Sequence, residues 1–200
     1  MPGAGFSSAT QALVAACTGN AMRAAALCVQ AAALTPVVDT RVLAAAAQAM
    51  IEVQLDVTDL RSVLAIVRTQ TARLDAITQP HLLHGDLWLF NLLVSQEAEG
   101  ISITGVLDAD RAWWGDPLAD WTMFVLSMEA PEKHPGHDRF WQAYGEPEQT
   151  PETALRKAVY EAMHIGTAMA WASRHADDDT VERGKGDLRA VLKRLQSYDR

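Results

Sequence analysis

The chain is 200 residues long and 49% hydrophobic, with 17 basic against 25 acidic residues and a formal net charge of −8. That length suits one domain or slightly more, and the apolar share is enough for a sizeable core. The negative balance argues against nucleic acid or an anionic membrane as partner and suits a cationic substrate.

At the start, Gly3 and Gly5 in PGAGFSS superficially suggest a phosphate loop. Only two residues precede Gly3, so no strand leads into it, and residues 1–8 read as a disordered start. Ala9 to Leu34 is alanine-rich and predicts helix, broken near Gly19 and Asn20 and stopped by Pro36. Cys17 and Cys28 match no metal or redox spacing and read as small core residues in a reducing compartment. The first 22 residues carry no charge, yet they contain Gln, Asn, Ser and Thr and lack a basic leader. A signal peptide or membrane span is not expected, which leaves the cytoplasm as the default. Thr40 to Gln54 predicts another helix. A third is predicted from Thr58 to Ile77, with Leu60, Val63, Leu64, Val67, Leu74 and Ile77 at helical spacings.

Residues 84–91 then read HGDLWLFN, and Asp108 follows in ITGVLDADRAWWGDPLADW. Phosphoryl transfer needs a carboxylate to orient the attacking hydroxyl and further oxygen ligands to hold Mg²⁺ on the nucleotide phosphates. Asp86, Asn91 and Asp108 supply all three, and the Asp-to-Asn interval is that of the kinase catalytic loop, with Gly85 in place of its Arg. Asn91 to Ser95 and Ile101 to Leu107 are strand-like, with EAEG between them, and predict a β-hairpin whose open end carries Asn91 and Asp108. Mg²⁺ favours a few oxygen ligands and leaves the rest of its octahedron to water or phosphate. Taken singly, each residue also has a plain structural reading: Asp86 in a turn after Gly85, Asn91 at a strand start, Asp108 capping DRAWW. His81 and His84 form an HxxH with no Cys or further His nearby, so zinc is not expected there.

Beyond the motif, helices are predicted over Leu118 to Glu129, Asp138 to Tyr144, Glu152 to His175 and Val181 to Tyr198. Asp116 before Pro117 fits an N-cap, and Asp177, Asp178 and Asp179 fit a helix-start turn. Arg111 is expected to pair with Asp110 or Asp116, or else to contact a phosphate. Trp88, Trp113 and Trp114 flank the motif and are candidates to wall a pocket, whereas Trp121, Trp141 and Trp171 are expected in the core.

HGDLWLFN, GVLDADRAWWGDPLADW and the helical remainder together resemble the aminoglycoside phosphotransferase and choline kinase-like superfamily, small-molecule kinases with a protein-kinase-like fold. The resemblance covers roughly the second half of the chain, with several spaced motifs recurring in order. It implies Asp86 as catalytic base, Asn91 and Asp108 as Mg²⁺ ligands in an ATP-dependent transfer to a small-molecule hydroxyl, and His84 as a structural residue of the loop. GDPLAD resembles the family's GDPxxD segment, which implies that Asp116 or Asp120 braces the loop from the following helix. Where protein kinases have Phe and Gly after the metal Asp, this chain has Ala109 and Asp110, so Asp110 is a competitor for the metal.

One half of a kinase site is not visible. All four lysines, Lys133, Lys157, Lys185 and Lys193, follow the loop, so no lysine stands on an early strand, and no glycine-rich loop precedes the motif. The expectation is therefore a mainly α fold with one small β-hairpin: a single kinase-like C-terminal lobe over residues 9–200, catalytic core 81–121, lacking a recognisable N-lobe. Such a lobe leaves apolar surface uncovered, which predicts a homodimer or an N-lobe partner. The other functional reading is a truncated, non-catalytic module that binds a small molecule or a partner protein.

Overall fold

The computed structural model describes residues 41–74, 80–97, 100–126 and 137–198. The predicted disordered start, the Ala9 to Leu34 helix, and Cys17 and Cys28 lie outside the described residues. In chain order the elements are α1 (Arg41–Glu52), α2 (Thr58–Thr69), α3 (Thr71–Leu74), β1 (His81–Leu83), β2 (Leu92–Glu97), β3 (Gly100–Val106), β4 (Trp113–Gly115), α4 (Leu118–Leu126), α5 (His137–Tyr144), α6 (Pro151–Arg174) and α7 (Asp178–Tyr198). Two 3₁₀ turns, Leu89–Asn91 and Ala109–Arg111, interrupt the β region. The described chain is thus mostly helical with two small antiparallel sheets. It divides into two compact units, one holding all four strands and α4, the other the remaining helices. No helix among the described residues is long and apolar enough to cross a membrane.

The helical unit is built on α6, which packs against α1 and α7. Leu43, Met50, Leu60, Val63, Val67, Val159, Tyr160, Met169, Val191 and Leu195 are fully buried there. Each such aliphatic side chain contributes about 1.5–3 kcal/mol by leaving water. Two glycines set the closeness of the helices. A Cβ on Gly184 would lie 2.4 Å from Cγ of Met169, and one on Gly166 would lie 3.0 Å from Leu60.

The helix limits follow from their caps. Thr150 Oγ1 accepts the Thr153 N–H at 3.1 Å and Pro151 takes the first helical position, so α6 starts one residue before the predicted Glu152. Asp177 accepts the Thr180 N–H at 3.1 Å, and Asp178 and Asp179 enter the first turn of α7, where the helix dipole favours negative charge. The acidic triplet is therefore the helix-start turn expected of it, and the helix begins three residues before the predicted Val181. At the far end of α1, Gln54 adopts a left-handed φ of 60°, and the Leu55 N–H closes on the Met50 carbonyl at 3.0 Å.

Three expectations need correction. The helix predicted from Thr58 to Ile77 breaks at Gln70, whose N–H bonds the Val67 carbonyl at 3.0 Å and whose backbone is non-helical. The short α3 then resumes, and residues 75–79 lie outside the described residues. The apolar spacing hid the break because Val67 and Leu74 are both buried on either side of it. Trp171 is 55% exposed rather than core, stacked on His175 at 4.0 Å between ring centroids, while Trp121 and Trp141 are only half-buried. The β structure is also more than one hairpin. His81, Leu82 and Leu83 of β1 pair antiparallel with Gly115, Trp114 and Trp113 of β4.

The predicted hairpin is β2 paired with β3, from Leu92 opposite Val106 to Glu97 opposite Gly100. Residues 98 and 99 of its EAEG turn lie outside the described residues. A bulge between Leu93 and Val94 shifts the register, and the Thr104 hydroxyl donates to the Leu93 carbonyl beside it at 3.3 Å. Much of the hairpin's apolar surface is open: Leu93, Val94, Ile101, Ile103 and Val106 are each about half exposed or more. Beneath this region Leu83, Ala112, Leu118 and Ala119 are buried together with three polar residues, Asn91, Asp116 and Asp120. Buried carboxylates and amides must be hydrogen-bonded to be tolerated, and the partners of these three define the site.

Candidate active site

The loop from His84 to Asn91 is held at four points. Asp120, in the first turn of α4, accepts the backbone N–H of His84 on one carboxylate oxygen at 2.6 Å and that of Gly85 on the other at 2.8 Å. Asp116 does a different job: its Oδ1 accepts the Leu118 N–H at 3.1 Å and its carbonyl the Ala119 N–H at 3.0 Å, so it caps α4. Asp120, the second aspartate of GDPLAD, thus reaches the loop.

His84 joins the loop to the hairpin. Its Nε2 lies 2.7 Å from the Leu107 carbonyl, and its Nδ1 accepts the Asp86 N–H at 3.3 Å. A carbonyl only accepts and a backbone N–H only donates, so these two partners define the neutral imidazole with its proton on Nε2. Leu107 is bonded from its other side as well, since its N–H donates to the Asn91 carbonyl at 2.8 Å. Finally, the Asn91 side-chain Nδ2 donates to the backbone carbonyl of Asp86 at 2.9 Å. Asp86, Asn91 and Leu107, the residue before Asp108, are thereby closed into one ring of hydrogen bonds through His84.

Gly85 is required twice over. Its φ is +80°, and a Cβ there would lie 2.3 Å from the backbone carbonyl oxygen of Arg111. No side chain fits, which is the local reason the kinase-loop arginine has no counterpart here. Asp108 sits in the left-handed region, at φ 60° and ψ 52°, which turns the chain from β3 into the Ala109–Arg111 turn. Such a conformation is uncommon outside glycine but is tolerated by Asp and Asn.

Charge and exposure separate the carboxylates. The side chain of Asp86 is 15% exposed, whereas Asp108 and Asp110 are open to solvent. Arg111 Nη1 lies 3.8 Å from Asp86 Oδ2, with the arginine side chain 56% exposed. The sequence reading placed this arginine against Asp110 or Asp116, and the structure pairs it with Asp86 instead. Proximity in sequence favoured the first two; the close backbone approach of Gly85 to Arg111 brings Asp86 within reach. Of the motif tryptophans, Trp88 is 37% exposed and tilted over the exposed Phe90 at 4.8 Å, and Trp114 is half-buried with its indole Nε1 lacking a hydrogen-bond partner among the described residues.

Asn91 and Asp108 fit a magnesium ion on chemical grounds. With Nδ2 committed to Asp86, the Asn91 amide turns its oxygen the other way, and Asp108 adds a solvent-facing carboxylate. One or two such oxygens plus substrate phosphates and water is the usual protein share of a Mg²⁺ site. Among the described residues no group of three or more His, Cys, Asp or Glu stands together as a metal-holding cluster. An amide and one carboxylate fall outside that kind of cluster.

A family model described as the phosphotransferase enzyme family matches residues 21–159. The chain belongs to that family. The matched stretch contains the whole of this phosphotransferase-family loop, the hairpin, and both aspartates of GDPLAD. Among solved structures, it is similar to an apo-form thermostable mutant of the aminoglycoside phosphotransferase APH(4)-Ia. The two are 19% identical over 68% of this chain and 43% of that one, with a TM-score of 0.49. This phosphotransferase-family chain thus spans less than half the length of that protein. Comparison with curated proteins finds no match.

Proposed function

We propose that this phosphotransferase-family chain carries the base and metal half of an ATP-dependent transfer to a hydroxyl of a small molecule, as a kinase-like C-terminal lobe. The observation that carries the reading is the double engagement of Leu107, to the Asn91 carbonyl and to His84 Nε2, which fixes Asp108 beside the loop bearing Asp86.

In this reading Asp86 orients the substrate hydroxyl and accepts its proton. The hydroxyl oxygen forms a new bond to the γ-phosphorus, the bond from that phosphorus to the bridging oxygen breaks, and ADP leaves. Mg²⁺, held by the Asn91 amide oxygen and the Asp108 carboxylate, would offset the charge of the nucleotide phosphates. Asp120, His84 and Gly85 keep the loop rigid enough for that geometry to persist between turnovers. A cationic substrate is supported by the acidity of the segment, in which residues 74–132 hold ten acidic residues and one arginine.

A second reading, a non-catalytic module that binds a small molecule or a protein, is favoured by the open apolar face of the β2–β3 hairpin. Calorimetric titration with ATP, with and without Mg²⁺, beside Asp108→Ala separates the two. The phosphotransferase reading expects binding that needs both Mg²⁺ and Asp108. No binding at millimolar ATP would remove it and leave the binding module.

A further inference from the structure

The loop that carries Asp86 is tied at both ends and apolar at its crown. Asp120 holds the His84 and Gly85 N–H groups, and Asn91 Nδ2 donates to the Asp86 carbonyl at 2.9 Å, so residues 86–91 close on themselves. Between those ties stand Trp88, Leu89 and Phe90, which are 37%, 54% and 80% exposed. Anchoring falls to Asp120, His84 and Asn91, so the crown side chains add little to it, and a contiguous run of exposed large apolar residues marks a binding surface. We propose that Trp88 and Phe90 form a platform on which the acceptor of the phosphoryl group lays an aromatic ring, which makes the substrate an aryl amino alcohol. The proposal rests on the phosphotransferase reading above and names the kind of hydroxyl compound that Asp86 serves.

Three observations carry it. The first is position. Two residues of extended chain span about 7 Å at most, so the backbone of Trp88, extended at φ −143° and ψ 170°, stands that close to the backbone of Asp86. The Asp86 side chain is only 15% exposed. A hydroxyl that reaches so recessed a carboxylate leaves the rest of its molecule outside, against the more exposed surface nearby. The second is the geometry of the pair. The ring centroids of Trp88 and Phe90 are 4.8 Å apart with the planes inclined at 52°. Two tilted rings make a corner that a third ring meets offset on one and edge-on to the other, the arrangements that aromatic quadrupoles favour. The third is size and charge. The exposed parts of the two rings amount to roughly 250 Å², well below the about 800 Å² that each partner of a stable protein complex buries. Such an area suits a small molecule. The ten acidic residues and one arginine of residues 74–132 favour an amine on that molecule over an acid, and a protonated amine is attracted to an indole face.

The test is ligand-observed NMR titration of the wild type, Trp88→Ala, Phe90→Ala and Trp88→Phe with phenylethanolamine, benzyl alcohol and glucosamine. Phenylethanolamine is expected to bind most tightly, benzyl alcohol next and glucosamine least. Each alanine variant should lose about threefold to tenfold for the two aryl probes, the usual strength of one aromatic contact, and nothing for glucosamine. Trp88→Phe should recover part of the loss, since it keeps a ring. Glucosamine binding as tightly as the aryl probes, equal affinities across the variants, or no binding of any probe would overturn the platform. Sedimentation velocity on the same proteins tests for a second copy on this surface. A wild-type dimer that either alanine variant splits would overturn the small-molecule assignment, whereas one unchanged state throughout supports it. Titration of the same wild-type sample with ATP and Mg²⁺ separates the two readings. Aryl binding without ATP binding would remove the phosphotransferase reading and the acceptor role with it, and ATP binding without aryl preference would remove the platform alone. Thermal unfolding of the variants is the control for folding, which such exposed side chains are not expected to disturb.

Discussion

The carboxylate of Asp120 spans the backbone of the loop, with one oxygen on the His84 N–H and the other on the Gly85 N–H, across 36 and 35 residues of sequence. Because Asp120 is 8% exposed, neither N–H has water as a ready substitute. Asp120→Ala is expected to destabilise the fold by at least about 2 kcal/mol, since it strands two donors that were bonded to a charged group. Asp120→Asn keeps one accepting oxygen and should fall between the two. Urea unfolding midpoints give the order, and equal midpoints for Ala and wild type would show that the bracket is idle.

Gly85→Ala introduces a Cβ against the Arg111 carbonyl at 2.3 Å in a backbone of positive φ. Backbone strain alone costs about 1–2 kcal/mol, and the clash adds to it by moving Arg111 or the loop. Gly100 also has a positive φ, +136°, but nothing lies within 4 Å of its added Cβ. The expected outcome is that Gly85→Ala loses Mg²⁺-dependent ATP binding while Gly100→Ala keeps it. Calorimetry on both variants checks this.

Asp86→Asn is expected to lower turnover by about 10² to 10⁴, the range for positioned general-base help. Nucleotide affinity should stay close to wild type, because Asn91 is anchored to the backbone carbonyl of Asp86 and not to its side chain. Steady-state rates on a responsive hydroxyl substrate, paired with ATP titration, measure the two effects separately. Unchanged turnover would remove Asp86 from the role of base.

Burial pushes the Glu161 carboxyl above its ordinary 4.5, with the neighbouring Arg194 opposing the shift. A raised carboxyl in the folded state binds more protons than the unfolded chain does across this window. Stability from this group is therefore fully present below pH 4.5 and is lost as pH rises through the raised value. Glu161→Gln should flatten that slope as pH rises above 4.5. Unfolding free energies at several pH values read it directly, and parallel curves for the two proteins would count against the assignment.

Among the described residues, the helices were largely legible in the sequence because their causes are local. Thr150 before Pro151, Asp177 before an acidic turn, and apolar residues three and four apart each act within one or two helical turns. The break at Gln70 escaped because burial of Val67 and Leu74 preserves the periodicity across it. Pairing of β1 with β4 also escaped, since three residues are too few to show alternation and the partner lies thirty or more positions on.

Residue chemistry was readable in the same way. The spacing of Asp86, Asn91 and Asp108 named the groups, and the solitary Arg111 was there to be counted. Tertiary structure alone decided how they are held: His84 on the Leu107 carbonyl, Asp120 on the loop, and Arg111 against Asp86. A sequence pattern specifies which donors and acceptors a chain owns. Which of them meet depends on backbone approach at particular points, and here a glycine without a Cβ, 2.3 Å from where one would collide, settles that approach.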